Sequence, residues 1–332
     1  MCTRILWNTY DGVVLAGRTM DWPESTEPVL TVFPRGLERD GGRLAGDTVV
    51  PENPLRWTSR YGSLVTTVYG AGTADGINEA GLAAHMLYLD ESDPGPRDPQ
   101  RPGLQIALWI QYLLDCAGSV TEALELLAAV QLVPVEMRGF AATVHVALED
   151  RSGDSAVVEY LGGKQCVHHG RQYTIMTNAP AYDEQLRLLD EQVRTLRELG
   201  HDAPDSDVPL PGNVNPVDRF QRAAYFGSLL PRPADEQQAV AAVLAVTRNA
   251  SVPFGAPYRS GRFATYNTEY RTVCDLAGRR YFLELATSPN LLWAELDRLD
   301  LSPGAPVMTL DPHDLTLVGN VSGALAPAPA PF

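Results

Sequence analysis

The sequence predicts an α+β fold in which mainly antiparallel sheets are covered by helices on the outside. Strand-like segments come in consecutive runs that groups of helices interrupt, instead of alternating one by one with helices. This order is typical of antiparallel sheets with segregated helices. Two turns support it, because Asp11-Gly12 and Ala277-Gly278 each lie between two strand-like segments. Asp-Gly in particular is a strong signal for a β-hairpin.

The remaining elements follow from local patterns. Segments with β-branched residues and alternating polarity predict strands, at 3–9, 13–20, 29–33, 62–69, 82–89, 142–148, 155–161, 164–168, 173–176, 265–275 and 279–286. Amphipathic segments predict helices, at 104–115, 119–130, 181–199, 218–229 and 235–247. Ser119 and Glu122 form a capping-box pattern that opens the second helix.

The chain contains 332 residues, of which 45% are hydrophobic, and this is ample for a sizeable core. We find no internal repeat. We therefore predict one domain over 2–322, followed by a Pro/Ala-rich tail at 323–332 that is extended or disordered. Pro- and Gly-rich stretches at 93–103 and 201–216 predict surface loops.

Composition argues against several functional classes. The formal net charge is −15, Lys and Arg number only 26 and no basic cluster occurs, so a nucleic-acid partner is not expected. No apolar run is long enough to span a membrane, and the start MCTRILW lacks a signal-peptide pattern, which predicts a cytoplasmic location. The cysteines lack CxxC spacing and His168-His169 is interpreted as a strand-end pair, so we expect neither a disulfide framework nor a metal site.

Cys2 is the most informative residue, because it directly follows the initiator methionine. Loss of Met1 would leave one residue with both a thiol and a free α-amine. These groups titrate near pH 8.5 and 8, respectively, so the amine could serve as the base for the thiol nucleophile. The alternative interpretation is a small buried hydrophobic residue, which most cysteines are.

The hairpin around Asp11-Gly12 predicts the neighbours of Cys2. With those two residues as the turn, Cys2 faces Asp21 across the ladder, so that this carboxylate would hold the N-terminal amine. Arg18 would then point to the opposite face, unless the second strand bends or bulges near Thr19. An ordinary edge hairpin with a surface arginine is the alternative.

Four segments in order resemble the choloylglycine hydrolase family, which contains conjugated bile acid hydrolases and penicillin V acylases among the N-terminal nucleophile hydrolases. They are Cys2 with GRTMDW at 17–22, DGINEAGL at 75–82, TNAP at 177–180, and PG at 211–212 with DRF at 218–220. The resemblance implies a four-layer αββα sandwich of two sheets. It also implies an apolar N-acyl amide substrate, no cofactor, and a homo-oligomer such as a tetramer.

The resemblance further implies roles for individual residues. Cys2 would supply the nucleophile and its base, Arg18 would favour the thiolate, and Asp21 would orient the amine. Asn178 and the backbone N–H of Tyr88 would bind the oxyanion. Each has an ordinary alternative interpretation, which for Asn178 is a turn and for Tyr88 core or rim.

Arg219 would add positive charge to the site, although surface arginines are routine in an amphipathic helix such as the one predicted here. The implied reaction is hydrolysis of a non-peptide C–N amide bond through a thioester on Cys2. Tyr88 stands where bile acid hydrolases of the family typically carry Asn and penicillin V acylases Tyr. Trp22 resembles the group that includes penicillin V and acyl-homoserine lactone acylases, with hairpin-end core as the alternative. These two residues favour an acylase for aryl or long-chain acyl groups, and a conjugated bile salt hydrolase stays open.

Two other functions remain open at this point. One is a ligand-binding protein that kept the fold and lost catalysis, although the joint presence of all the implied site residues argues against it. The other is a lipid-amide hydrolase whose nucleophile is freed by internal self-cleavage. It is disfavoured because Cys2 needs no propeptide and the other cysteines lack a downstream Arg-x-x-Asp.

Overall fold

Two large sheets stacked face to face form the centre of the molecule in the computed structural model, which describes residues 2–257 and 266–332. Their strands are β1 (Cys2–Trp7), β2 (Leu15–Asp21), β3 (Val29–Phe33), β4 (Ser63–Val68), β5 (Gly72–Asn78), β6 (Leu82–Tyr88), β7 (Val144–Asp150), β8 (Ser155–Leu161), β9 (Lys164–His169), β10 (Ile175–Met176), β11 (Thr268–Asp275), β12 (Arg280–Leu285), β13 (Leu292–Glu295), β14 (Met308–Leu310), β15 (Gly319–Asn320) and β16 (Ala326–Pro327). The α-helices are α1 (Trp109–Cys116), α2 (Val120–Ala129), α3 (Tyr182–Glu198), α4 (Pro216–Ser228) and α5 (Glu236–Asn249).

The first sheet has the order β10-β1-β2-β11-β12-β13-β15, and the second has the order β9-β8-β7-β6-β5-β4-β3-β14-β16. Neighbouring strands are antiparallel except for β13 and β15. Shorter strands pair outside these sheets, at Glu38–Asp40 with Arg56–Thr58, Arg43–Leu44 with Asp47–Thr48, Gly103–Gln105 with Gln131–Val133, and Glu136–Met137 with Phe140–Ala141. Single 3₁₀ turns lie at Ile106–Leu108 and Leu296–Arg298.

The helices cover the two outer faces. α4 and α5 pack on β1 and β2 of the first sheet, while α1 and α2 pack on β5, β6 and β7 of the second. Trp7 and Leu15 join Val243 of α5 in one buried cluster, and Trp109 of α1 joins Val146 of β7 in another. The predicted αββα sandwich is therefore confirmed.

The first hairpin has a different register from the predicted one. Cys2 pairs with Met20 and Arg4 with Arg18, so Cys2 does not face Asp21. Between Trp7 and Leu15, which also pair, three residues precede the Asp11-Gly12 turn and two follow it. The loop thus has one more residue before the turn than after it, and this shifts the pairing of the two strands by one position. Gly12 adopts the left-handed φ of 77° that the turn requires.

The corrected register changes which side chains share a face. Directly paired residues of an antiparallel ladder lie on one face, so Arg18 lies on the face of Cys2 without any bulge in β2. The predicted bend near Thr19 is wrong. The irregularity lies instead in the neighbouring strand β11. There Glu269 is a bulge residue, because the pairing with β2 shifts between Thr268 and Tyr270.

The other predicted elements are confirmed in part. The hairpin of β11 and β12 is confirmed, although residue 265 of the predicted strand lies outside the described residues. Ser119 caps α2 as predicted, since its Oγ accepts from Glu122 N at 3.2 Å. The predicted helix over 104–115 begins only at Trp109, after a short strand and a 3₁₀ turn. At the C-terminal tail, Ala326–Pro327 pairs with β14, and the Phe332 ring lies 5.5 Å from that of Phe33.

Candidate active site

Cys2 is the first residue of β1 and borders a pocket. It is only 2% exposed. Its Sγ lies 3.0 Å from Arg18 Nη2 and 3.8 Å from Met20 Sδ, and its backbone nitrogen donates to Asn178 Oδ1 at 2.8 Å. Met1 lies outside the described residues, so the free α-amine stays a prediction.

Arg18 is buried beside the thiol. Its Nη1 donates to Ala74 O at 3.1 Å and to Asp75 Oδ1 at 3.4 Å, and its guanidinium carbon lies 5.9 Å from the centre of the Tyr270 ring. Burial acts against its charge, but Cys2 and Asp75 outweigh burial and raise the pKa of Arg18 above its ordinary value. A permanent positive charge therefore touches the sulfur, and such a charge favours the thiolate.

Arg219 ties β1 to α4 on the other face of the strand. It is fully buried, and it donates from Nη1 to Cys2 O at 2.8 Å and from Nη2 to Asn178 Oδ1 at 2.9 Å. Asp21 Oδ2 lies 3.5 Å from Arg219 Nη1, and Asp21 Oδ1 accepts from Thr268 Oγ1 at 2.6 Å. Arg219 thus positions the main chain of Cys2 and the Asn178 amide, not the sulfur itself.

The Asn178 side chain links Cys2 to Tyr88. Its Oδ1 accepts from Cys2 N and Arg219, which leaves Nδ2 as the donor group, and Nδ2 donates to Tyr88 O at 2.6 Å. An amide nitrogen carries two hydrogens, so one is left beyond this bond. The side chain is therefore oriented with a spare donor beside Cys2.

The backbone N–H of Tyr88 points to the same edge of β6 as its carbonyl, which accepts from Asn178. Leu89 N donates to Thr143 O at 3.0 Å, towards the β7 side. Successive residues of a strand point their N–H groups to opposite edges, so Tyr88 N–H points to the other edge. There the pairing of β6 with β5 has already ended at His85.

A pocket opens to solvent beside Cys2, and its empty space, including open solvent at the mouth, is about 770 Å³. Its lining is almost wholly apolar and consists of Cys2, Met20, Trp22, Thr26, Val68, Tyr69, Gly72, Thr73, Ala74, Met86, Leu87, Tyr88, Ala107, Ala141, Ala142 and Val144. The Trp22 and Tyr88 rings lie 5.8 Å apart at an angle of 60°. Burial and a hydrogen bond to Asp90 raise the pKa of Tyr88 to about 12, so the phenol is neutral at ordinary pH.

The six residues assigned from the resemblance form one hydrogen-bonded and ion-paired group: Cys2, Arg18, Asp21, Tyr88, Asn178 and Arg219. Sequence reasoning missed two residues that support it. His145 Nε2 lies 2.8 Å from Thr177 O, and Gln185 Nε2 donates to the Asn178 and Ala179 carbonyls at 3.3 and 3.1 Å. His145 has no local sequence signal, because it lies 32 positions from Thr177. Gln185 lies only six or seven positions from the carbonyls that it binds, but no motif marks it within the predicted helix.

Within residues 2–257 and 266–332, no group of three or more His, Cys, Asp or Glu side chains could hold a metal ion. In the same ranges, no helix is both long and apolar enough to cross a membrane. The four cysteines are unpaired thiols.

Comparisons with known proteins find relatives along almost the whole chain. Residues 2–316 match the family of linear amide C–N hydrolases, choloylglycine hydrolase family. A penicillin V acylase of Pectobacterium atrosepticum is 36% identical over 341 residues, covering 95% of this chain and 86% of that protein.

Solved structures show the same fold. The penicillin V acylase of Agrobacterium tumefaciens superimposes with a TM-score of 0.87 at 39% identity, covering 100% of this chain and 98% of that one. A variant of the conjugated bile acid hydrolase of Clostridium perfringens has a TM-score of 0.77 at 22% identity, with coverage of 93% and 96%, which supports the fold alone. The predicted N-terminal nucleophile hydrolase fold is confirmed.

Proposed function

This chain belongs to the choloylglycine hydrolase family of linear amide C–N hydrolases, and from that premise we propose that it is a cysteine acylase for substrates with an apolar aryl or long-chain acyl group. The observation that carries the proposal is the contact of Cys2 Sγ with buried Arg18, at 3.0 Å, beside an apolar pocket. Substrate is a small N-acyl amide whose acyl group fills that pocket.

The proposed reaction starts after Met1 has been removed. The Cys2 amine takes the thiol proton, and the thiolate attacks the acyl carbonyl to form a tetrahedral adduct. Asn178 Nδ2 and Tyr88 N–H donate to the oxyanion. When the C–N bond breaks, the Cys2 ammonium gives its proton to the leaving nitrogen, and an acyl thioester remains.

Water completes the cycle. The Cys2 amine, now neutral, takes a proton from a water molecule, whose oxygen attacks the thioester. Collapse of the second adduct releases the carboxylic acid and restores the thiolate. Throughout, Asn178 Oδ1 accepts from the Cys2 nitrogen, at 2.8 Å in this structure, and so holds the base in place.

Two aromatic residues support the acyl preference. Trp22 and Tyr88 both line the pocket that contains Cys2, and their rings are in contact. Flat apolar walls suit a phenoxy ring or a fatty chain. A homo-oligomer and a cytoplasmic location stay predictions.

The test is amine release from a panel of penicillin V, a long-chain acyl-homoserine lactone, and glycine- and taurine-conjugated bile salts. We expect faster release from penicillin V or the lactone. Clear preference for the bile conjugates would retain the chemistry and refute the acyl preference argued from Tyr88. Absence of release from every compound would instead favour a ligand-binding member of the family.

Trp22→Leu tests the aromatic wall. We expect kcat/KM for penicillin V to fall by about 2- to 13-fold, because a ring contact of this kind contributes about 0.5–1.5 kcal/mol. Trp293→Leu is the matched control, since Trp293 is also half-buried but lies on β13, away from the pocket. An equal loss in both variants would show a general effect on stability and refute substrate contact by Trp22.

A further inference from the structure

A row of charged side chains leads from Cys2 into the space between the two sheets. Arg18 touches the sulfur through Nη2 and lies 3.4 Å from Asp75 Oδ1 through Nη1. Asp75 Oδ2 lies 3.7 Å from His85 Nδ1. The proposed reaction assigns no role to the groups beyond Arg18.

The row continues between the two sheets, across β6 and β7 of the second sheet, and ends at Arg4 on β1 of the first sheet. His85 Nε2 lies 2.6 Å from Glu149 Oε1, and Arg4 Nε donates to Glu149 Oε2 at 3.0 Å. All members are 0% exposed. We call them the buried charge row: Arg4, Glu149, His85, Asp75 and Arg18.

The charges along this row alternate in sign. Burial acts against a proton on His85, but Glu149 and Asp75 outweigh it and raise the pKa of His85 above its ordinary value. The pKa values of Asp75 and Glu149 are lowered in spite of their burial, by Arg18 and Arg4 respectively together with His85. With His85 protonated, the row contains three cations and two anions, and one positive charge is left over.

Among residues 2–257 and 266–332, neighbouring groups do not cancel this charge, and the Cys2 amine of the processed enzyme cannot cancel it because an amine is either neutral or positive. Four other buried titratable groups border the row: Tyr182, Tyr270, Cys274 and Tyr281. Burial raises the pKa of each above its ordinary value, so all four stay neutral near pH 7. Arg219 and Asp21, on the opposite face of the hairpin, form an ion pair of opposite charges.

We propose that the buried charge row leaves one positive charge that, among the described residues, only the thiolate of Cys2 balances, and that His85 is the positioning residue that supplies it. Since burying an unbalanced charge in a protein interior is costly, the ionised sulfur is the favoured partner at the end of the row. Asp75 couples the charge of His85 to Arg18 electrostatically, because its carboxylate lies between the two residues. This inference rests on the proposed function only in taking Cys2 as the nucleophile.

The test measures the thiol directly and needs no substrate. Alkylation of Cys2 by iodoacetamide is followed against pH in the processed enzyme, with the Cys2 peptide read by mass spectrometry. His85→Gln removes a positive charge, and we expect the midpoint of the alkylation profile to rise by about one pH unit. Asp75→Asn removes a negative charge, and we expect its midpoint to fall. His169→Gln, an exposed histidine paired with Asp154, is the control and leaves the midpoint unchanged.

Shifts in opposite directions support the proposal, because a merely structural role would move both midpoints the same way. A native-like His85→Gln protein with the wild-type midpoint overturns it, as do shifts of equal sign. If His85→Gln does not fold, the fall expected for Asp75→Asn decides alone. Turnover of every compound of the substrate panel is measured in parallel. A shifted midpoint of the alkylation profile in a protein that hydrolyses none of these amides would refute the proposed function but would still support the proposal for the buried charge row.

Discussion

Cys2→Ala abolishes amide hydrolysis, with kcat on the best substrate of the panel falling by about 10⁴-fold or more. The substitution removes the nucleophile and leaves its amine in place. The side chain is small and sits at a strand end, so the fold persists. Steady-state release of amine gives kcat, and circular dichroism with thermal melting verifies the fold.

The control for this prediction is Cys166→Ala. Cys166 lies on β9, outside the pocket lining, and its replacement leaves kcat unchanged. Intact mass of the active wild type is expected to show that Met1 is absent. A fully active protein that retained Met1 would contradict the use of the Cys2 amine as base, because that nitrogen would then be a peptide amide.

Asn178→Ala lowers kcat by about 10²–10³-fold, equivalent to about 2.7–4 kcal/mol of barrier. The loss is expected in kcat more than in KM, because the oxyanion exists only after attack. The Asn178 amide is oriented to donate to the oxyanion, because its Oδ1 accepts from Cys2 N and Arg219 while Nδ2 keeps a spare hydrogen. Kinetics on penicillin V measures the effect.

Asn178→Asp separates donation from positioning. The carboxylate keeps an oxygen for Cys2 N and Arg219 but loses the Nδ2 donor. A loss as large as that of the alanine variant would attribute the effect to the amide donor. If the aspartate variant instead retained wild-type kcat, the role of Asn178 would be to position the Cys2 nitrogen, and its role in binding the oxyanion would be refuted.

The buried acidic and basic groups tie the site residues to several layers of the fold. Besides Cys2 Sγ, Arg18 contacts Met20 Sδ and the Thr19 carbonyl within β2, and Ala74 and Asp75 on β5 of the facing sheet. Arg219 of α4 donates to Cys2 on β1 and to Asn178. Removing the ion-pair partner of a buried charge typically costs about 3–5 kcal/mol.

Local signals in the sequence determined much of the secondary structure. The Ser119 cap, the helix at 181–199 and the hairpin around Ala277-Gly278 depend on residues within a few positions of one another, so their patterns suffice. Strand β5 was missed because its glycines obscure the alternation. Gly76 is required there, since a Cβ would lie 2.4 Å from Val65 Cγ1 of the neighbouring strand.

The sequence by itself determined the fold family, and it predicted the nucleophile at position 2 and the set of site residues, because motifs and the resemblance they carry lie in the order of the residues. Only the tertiary structure decided the register that turns Arg18 towards Cys2, the bond between Cys2 N and Asn178, and the charge row behind them. Cys2 and Asn178 are 176 positions apart. No periodicity or turn signal encodes a contact at that separation, since it arises from the packing of one sheet on another.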